Sequence, residues 1–194
     1  MSDRCDGLSQ CSDGSDEDEC NLVAIQEPSY DKAYPPRKKK GHPIDVKVTI
    51  NLDAIQKIEA LEMTFTSKLT LWLEWYDERI TFSNLKSEDL TNLIGYEKAL
   101  GIWIPPLIFN NTNDNLVVAL DQTAILSASK RGLPKMSNKH LSINEDYLYA
   151  GSDNILIFGR DYEMTFSCVY RLSRYPFDIQ TCQIEVTNFI ITYH

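Results

Sequence analysis

Long hydrophobic runs are absent from this 194-residue sequence: no stretch of 18 or more apolar residues is present that could cross a membrane as a helix. The N-terminal residues Met1-Ser2-Asp3-Arg4 are followed by no apolar signal region either. The five cysteines nevertheless favour an oxidising, extracellular setting. Because a chain needs a targeting segment to reach that setting, we expect the sequence to be a fragment of a longer protein.

Features of zinc-binding and catalytic proteins are also scarce. The chain has no C-x-x-C pair of the kind that binds zinc. Its three histidines, His42, His140 and His194, lie in a predicted linker, a predicted loop and the C-terminus. No nucleophile turn or phosphate-binding loop accompanies them. The sequence therefore argues against an enzyme.

Positive charge is in short supply, since the formal net charge is -9. An acidic chain of this kind is a poor candidate for binding nucleic acid. The single basic run, Arg37-Lys38-Lys39-Lys40, follows two prolines and precedes Gly41, as is typical of a solvated linker. We therefore divide the chain into a cysteine-rich acidic module at residues 1–20, a linker at 21–43 and a β-rich domain at 44–194.

Alternation of apolar and polar residues is the main structural signal of the third region. Apolar side chains recur at every second position in two segments, from Val46 to Leu52 and from Leu69 to Trp75. Further strands are predicted at residues 116–120, 123–129, 155–159, 162–172 and 179–189. Many short strands with almost no helical periodicity predict an all-β fold, an immunoglobulin-like antiparallel β-sandwich.

Three cysteines and a cluster of carboxylates distinguish the N-terminal module. The motif Cys5-Asp6-Gly7 is followed by the segment from Cys11 to Cys20, which is rich in Asp and Glu. This concentration of oxygen ligands suits a hard cation such as Ca²⁺, whereas the simpler interpretation is an acidic, solvated tail. The segment closely resembles the C-terminal half of a low-density-lipoprotein-receptor class A module.

That resemblance implies a structural calcium site and a disulfide. The implied ligands are the side chains of Asp6, Asp16 and Glu17, the carbonyl of Leu8, and Gln10 at a position where the family usually has aspartate. A neutral oxygen at position 10 should weaken the site. The family pairing implies a disulfide between Cys5 and Cys20, with the partner of Cys11 upstream of Met1.

Cys168 and Cys182 enclose 13 residues that contain Tyr175-Pro176-Phe177-Asp178. A bridge between these cysteines would close a loop worth about 3 kcal/mol in the chain-entropy model. The motif resembles the disulfide loop in the extracellular ligand-binding domain of the Cys-loop (pentameric) ligand-gated ion channels. Two more landmarks follow the family's order, Trp75-Tyr76-Asp77-Glu78-Arg79-Ile80 and Trp103-Ile104-Pro105, although Pro106 replaces the usual aspartate.

The resemblance also assigns roles to residues. Tyr175, Pro176, Phe177 and Asp178 would couple the domain to the membrane region, and the implied ligand-binding residues are Trp72, Asn110 and Phe189. Phe189 is alternatively a core residue. Thr70 stands where the family often has an aromatic side chain. Asn110 also begins the only N-glycosylation sequon, which is either used or unused.

We therefore expect the extracellular ligand-binding part of a neurotransmitter-gated channel subunit at the cell membrane. The expected partners are a small transmitter-like molecule, homologous subunits of a pentamer, and the membrane, through a region that this chain lacks. The final strands of the sandwich would lie beyond His194, which leaves it incomplete at its C-terminal end. The alternative is a secreted or adhesive ligand-binding protein that reuses the sandwich together with a calcium-dependent protein-binding module.

Overall fold

The computed structural model describes residues 12, 22–25, 30–36, 44–87, 92–112, 118–136 and 147–188. The strands are β1 (Val23–Ile25), β2 (Lys47–Glu59), β3 (Thr64–Trp75), β4 (Ile80–Ser83), β5 (Leu107–Phe109), β6 (Ile125–Ser129), β7 (Lys135–Met136), β8 (Tyr147–Ala150), β9 (Ile155–Ser167) and β10 (Val186–Asn188). One helical turn, α1 (Tyr96–Ala99), and one 3₁₀ turn (Leu172–Arg174) complete the described elements. The all-β prediction is therefore confirmed.

The strands form antiparallel sheets with the orders β2-β3-β9-β6, β1-β4-β8-β7 and β5-β10. This arrangement is consistent with a β-sandwich. Part of the expected linker lies within the fold, because β1 pairs with β4. No helix in the described ranges is long and apolar enough to span a membrane.

Strand β3 is one of the two inner strands of the β2-β3-β9-β6 sheet. Its alternate residues from Phe65 to Trp75 are buried, as the period-2 pattern predicts. They pack with aromatic residues of the facing layer: the ring centroids of Trp75 and Trp103 are 6.2 Å apart. Near the other end of the strand, the ring of Phe65 stacks on that of Phe166 at 5.3 Å, and Phe109 lies 6.1 Å from Phe166. The core therefore extends along the full length of β3.

The predicted break between strands 155–159 and 162–172 is wrong, because β9 runs without interruption from Ile155 to Ser167. Arg160 interrupts the alternation of apolar and polar residues. It is charged, yet it occupies a position that faces the interior, opposite Leu71. Its guanidinium pairs with Asp121 at 2.5 Å and donates to the carbonyl of Ala119 at 3.1 Å. It also stacks over the ring of Tyr162 at 4.6 Å. These contacts allow an arginine to continue the apolar face of the strand.

Two other predicted strands are shorter than expected. Of the predicted strand 116–120, only residues 118–120 are described. They do not form a strand. Of the predicted strand 179–189, the described part contains only β10. The segment before β10 is held instead by side-chain hydrogen bonds, which a pattern of apolar residues does not reveal.

Strand β2 forms where the alternation of apolar and polar residues predicts a strand. Most of its residues are nevertheless exposed. Val48 and Leu52 pair with buried positions of β3, and both are exposed. Ile55 and Ile58 follow the same trend further along the strand. Within the described residues, the second layer therefore does not cover this edge of the sheet.

A buried ion pair fixes the turn between β3 and β4. The carboxylate of Asp77 is 1% exposed and accepts hydrogen bonds from the Arg79 guanidinium at 2.7 and 2.8 Å. Arg79 also donates to the Tyr34 carbonyl at 3.0 Å and lies 4.3 Å from the Tyr30 ring centroid. The Tyr30 hydroxyl donates to Asp77 at 3.2 Å and accepts from the Trp103 backbone amide at 2.9 Å.

The environment of Tyr30 keeps its phenol protonated. Burial raises the pKa of Tyr30 to about 12, against the opposing effect of the hydrogen bond from the Trp103 amide. The phenol therefore stays protonated at neutral pH and remains a donor to Asp77. Three segments distant in sequence are thus joined at one corner of the fold.

Asp77→Asn is expected to destabilise the domain by about 3 kcal/mol or more, because it leaves the largely buried Arg79 guanidinium without its counter-charge. Denaturant unfolding followed by circular dichroism measures the loss. Glu78→Gln, a neutralisation at the adjacent exposed position, is the control and should change stability by less than about 0.5 kcal/mol. Equal effects of the two substitutions would contradict the role of the ion pair.

Candidate functional site

A disulfide joins Cys168 and Cys182, whose Cα atoms are 5.3 Å apart. Cys168 follows directly after β9, so the loop continues from the end of a central strand. The base of the loop is bound to the turn between β2 and β3. The Cys168 amide donates to the Met63 carbonyl at 2.8 Å, and the Tyr170 hydroxyl donates to the Thr64 carbonyl at 2.9 Å. The disulfide loop and this turn therefore form one end of the molecule.

The interior of the loop is held by its own polar groups. The Gln180 side chain accepts from the Arg171 amide at 3.0 Å and donates to the Arg171 carbonyl at 3.1 Å, which closes the loop across its width. Gln180 also donates to the carboxylate of Asp178. The peptide bond between Tyr175 and Pro176 is cis. Of the four predicted coupling residues, Asp178 is thus bound within the loop.

The other three residues that were predicted to couple lie at the exposed tip of the loop. Tyr175 and Phe177 are 77% and 90% exposed, and Pro176 between them is exposed as well. Ile179, two residues further, is 93% exposed. The neighbouring turn adds Leu61, which is almost fully exposed. We call Leu61, Tyr175, Phe177 and Ile179 the apolar end surface.

Asn110 lies in the turn after β5, beside the segment that follows Cys182. Its backbone amide donates to the Glu185 carbonyl at 2.9 Å, and its side chain donates to the Thr187 hydroxyl. The side chain of Asn110 is exposed, as glycosylation of the sequon requires. The structure therefore places Asn110 near the base of the disulfide loop.

The neighbouring Asn111 has a structural role that sequence reasoning missed. Its side chain accepts from the Glu185 amide at 2.9 Å and donates to the carbonyls of Gln183 and Ser167 at 2.8 and 3.3 Å. It thereby binds both segments that flank the disulfide. No sequence signal separates Asn111 from Asn110, since the contacts depend on how the strands are placed.

Trp72 lies on the face of the β2-β3-β9-β6 sheet that points away from the core, directly across from Gly159. A Cβ atom at Gly159 would lie 2.3 Å from the Trp72 Cζ3 atom, so only glycine leaves room for the indole there. The indole is half-buried and presents the rest of its surface to solvent. This glycine was not recognised in the sequence, because its importance depends on the register of β3 with β9.

Two carboxylates flank Thr70 on the same face. The Thr70 hydroxyl oxygen lies 2.9 Å from Asp53 Oδ2 and 2.9 Å from Asp161 Oδ1. Asp161 is opposite Thr70 in the ladder, whereas Asp53 occupies the register shift in β2 between Leu52 and Ala54. Alternation indicates which face each strand residue occupies, but not which residues of different strands meet. Both aspartates were therefore missed.

Trp72 and Asn110 are not brought together within one chain. Trp72 pairs with Gly159, whereas the turn that contains Asn110 is bridged to Phe166 through Thr112. Seven residues of β9 separate Gly159 from Phe166, which corresponds to about 23 Å of strand. The two predicted ligand-binding residues therefore lie at different levels of the domain.

Several predicted residues lie outside the described part of the chain. They are Phe189 of the ligand site, the cysteines Cys5 and Cys20, and the calcium ligands Asp6, Leu8, Gln10, Asp16 and Glu17. Among the described residues, no group of three or more His, Cys, Asp or Glu side chains is arranged to hold a metal ion.

Comparison with known proteins identifies relatives of the chain. The family model described as the neurotransmitter-gated ion-channel ligand binding domain matches residues 21–193. The gamma-aminobutyric acid receptor subunit rho-3 of Homo sapiens is 24% identical over 149 residues, which cover 77% of this chain and 27% of that protein. The gamma-aminobutyric acid receptor subunit beta-4 of Gallus gallus is 22% identical over 149 residues, covering 77% and 26%.

A third relative, the glutamate-gated chloride channel subunit beta of Haemonchus contortus, is 24% identical over 151 residues, covering 77% of this chain and 30% of that protein. The chain thus spans less than a third of the length of these relatives. They are receptor and channel subunits and not enzymes, which confirms the non-enzymatic prediction. Because the family model covers most of the chain, the protein belongs to the neurotransmitter-gated ion-channel ligand-binding domain family.

Proposed function

We propose that this chain is the extracellular ligand-binding part of a neurotransmitter-gated ion channel subunit, and that the disulfide loop couples ligand binding to pore opening. The subunit assembles with homologous subunits into a pentamer and binds its ligand between neighbours. Family membership supports the ligand-binding role. The secreted or adhesive alternative is not favoured, because the relatives are receptor and channel subunits.

The observation that carries the coupling proposal is the apolar end surface. Tyr175, Phe177 and Ile179 expose large apolar side chains at the tip of a loop whose base is tied down by a disulfide and by backbone hydrogen bonds. Large apolar side chains exposed together on one loop are typical of a surface that contacts a partner or a membrane. A membrane region of the same subunit is the partner that the family implies for this end of the domain.

A continuous ladder connects the end surface with the outer face that carries Trp72. Strands β3 and β9 pair at twelve consecutive positions, from Thr64 with Ser167 to Trp75 with Leu156, without a register shift. By contrast, β2 has two register shifts against β3. An unbroken ladder moves more nearly as one body than a bulged one. A displacement at Gly159 would therefore reach Cys168, which directly follows the end of the same strand.

The separation of Trp72 from Asn110 supports a site between subunits. Residues about 20 Å apart in one chain cannot both contact one small molecule. They can do so when one subunit contributes Trp72 and its neighbour contributes Asn110 and Phe189. A glycan on Asn110 would then crowd the ligand, so a subunit that binds ligand at this interface would leave the sequon unused.

The exposed apolar face of β2 supports an immunoglobulin-like sandwich with further strands. Val48, Leu52, Ile55 and Ile58 face the same side as the buried residues of β3, yet the described residues leave them uncovered. We propose that further strands of an immunoglobulin-like sandwich cover them in the full subunit. Those strands would lead on to the membrane region.

Phe177→Ala in the full-length subunit should reduce the maximal ligand-evoked current several-fold while changing ligand affinity little, because Phe177 lies far from the ligand face. Whole-cell recording and radioligand binding on the same cells measure the two quantities. Leu133→Ala removes a similarly exposed apolar side chain outside the end surface and is the matched control. Equal loss of current and affinity, or no loss of current, would contradict the coupling role.

We further propose that residues 5–20, within a complete class A module that includes the upstream residues, bind Ca²⁺ through Asp6, Asp16, Glu17, the Leu8 carbonyl and Gln10. Millimolar Ca²⁺ should then raise the melting temperature of this module, since a ligand that binds only the native state stabilises it. Gln10→Asp should increase the shift by adding a charged ligand, and Asp16→Asn should reduce it. An unchanged melting temperature in both the parent and Gln10→Asp proteins would exclude the calcium site.

A further inference from the structure

The turn between β2 and β3 contacts the base of the disulfide loop through Met63. The Met63 carbonyl accepts a hydrogen bond from the Cys168 amide at 2.8 Å. The Met63 sulfur accepts from the Tyr170 amide at 3.4 Å. The Thr64 carbonyl, next in the chain, accepts from the Tyr170 hydroxyl at 2.9 Å. Met63 thus contributes two of these three hydrogen bonds, one through its backbone and one through its side chain.

Met63 also has an uncommon backbone conformation. Its φ is 52°, in the left-handed region that residues other than glycine seldom adopt. Such a conformation persists where the surrounding structure holds it in place. The bonds from the Cys168 and Tyr170 amides to Met63 provide that restraint. The Met63 sulfur is therefore held at a defined position against the loop.

The Tyr170 amide is a buried donor with a weak acceptor. Tyr170 is 7% exposed, and a buried backbone N–H group that loses its partner costs free energy. A thioether sulfur accepts hydrogen bonds only weakly, yet the Met63 sulfur is the acceptor for this amide. A chemical change at that sulfur should therefore affect the base of the disulfide loop directly.

The Met63 side chain is accessible to small oxidants in solution. Met63 is 41% exposed, whereas Met164 on β9 is 8% exposed. Oxidation of a methionine gives the sulfoxide, which reductases convert back to the thioether. Within the described residues both cysteines are joined in the disulfide, so neither competes for the oxidant as a thiol. Met63 is thus the more reactive of these two methionines.

We propose that Met63 is a site of reversible oxidation by hydroperoxides, and that its oxidation releases the Tyr170 amide and weakens the attachment of the disulfide loop to the β2–β3 turn. With hydrogen peroxide, an electron pair of the sulfur forms the bond to one oxygen atom while the oxygen–oxygen bond breaks. The departing hydroxide takes the proton from the transferred oxygen and leaves as water. The sulfur is oxidised by two electrons and the peroxide is reduced by two.

Oxidation removes the sulfur as an acceptor, whichever of its lone pairs reacts. In a sulfoxide the sulfur carries partial positive charge, so it repels the hydrogen of the Tyr170 amide. The new oxygen does not fit between the sulfur and the Tyr170 nitrogen, which are 3.4 Å apart. The sulfoxide is also more polar than the thioether and favours water. The Met63 side chain therefore leaves Tyr170, whereas the Met63 carbonyl keeps its bond from the Cys168 amide.

The test treats the purified full-length subunit with hydrogen peroxide. Peptide mass spectrometry should show that Met63 gains one oxygen atom about fivefold faster than Met164, in proportion to their exposed fractions of 41% and 8%. Hydrogen exchange resolved to single amides should show the Tyr170 amide exchanging about fivefold faster after oxidation, the factor for one typical net hydrogen bond. The Cys168 amide should keep its rate. Methionine sulfoxide reductases for the two epimers should reverse the change at Tyr170.

Two substitutions separate the sulfur of Met63 from other effects of peroxide. Met63→Leu nearly conserves the side-chain volume and removes the sulfur. Its Tyr170 amide should exchange as fast as in the oxidised parent, both before and after peroxide. Met164→Leu is the matched control and should respond to peroxide as the parent does. The reduced and oxidised parent proteins are also compared directly, so the result does not depend on the folding of either variant.

Control of the loop by Met63 is overturned if peroxide leaves Met63 unoxidised, if Met164 reacts as fast, or if the Tyr170 amide exchanges no faster after oxidation. Neither readout requires a ligand or a current, so these outcomes differ from failure of the proposed function. A subunit that opens in response to ligand, with no change at Tyr170, keeps the proposed function and refutes the oxidation site. Faster exchange at Tyr170 in a subunit that never passes current supports the site and refutes the channel function.

Discussion

The buried ion pair of Asp77 and Arg79 joins three distant segments of the chain at one corner of the domain. Removing two charges from water is costly unless both are fully hydrogen-bonded, and here Asp77 accepts from Arg79 and Tyr30 while Arg79 reaches the Tyr34 carbonyl. The geometry fixes how β3 turns into β4. The backbone also passes so close to Gly151 that a Cβ atom there would lie 2.1 Å from the Asp77 carbonyl oxygen. The pair therefore sets the start of the ladder that leads to the disulfide loop.

The position of that corner explains how the two candidate sites are related. Trp75 ends β3 two residues before Asp77 and pairs with Leu156 at the start of β9. From this point β3 and β9 run together past Trp72 and Gly159 to the Met63 turn and Cys168. The outer face that carries Trp72 and the apolar end surface thus lie along one continuous pair of strands.

Local patterns in the sequence predicted a good part of this architecture. Alternation located β2 and β3, and the spacing of Cys168 and Cys182 located a loop that the structure shows closed by a disulfide. The contacts between residues that are distant in sequence could not be predicted. Arg160 appeared to interrupt a strand because its partner Asp121 is 39 positions away in the sequence. The cluster of Asp53, Thr70 and Asp161 requires the register of three strands, including an irregularity in β2, which no local pattern encodes.

We propose that ligand binding is transmitted to the pore through the disulfide loop. A chimeric subunit tests it most directly, with residues 21–193 of this chain replacing the corresponding region of the gamma-aminobutyric acid receptor subunit rho-3 of Homo sapiens. Binding of gamma-aminobutyric acid and the current that it evokes would be recorded on the same cells, with and without a polar replacement of Phe177 and Ile179. We expect a current in the chimera that the polar replacement abolishes while binding of gamma-aminobutyric acid persists. A current that survives the replacement undiminished would contradict it.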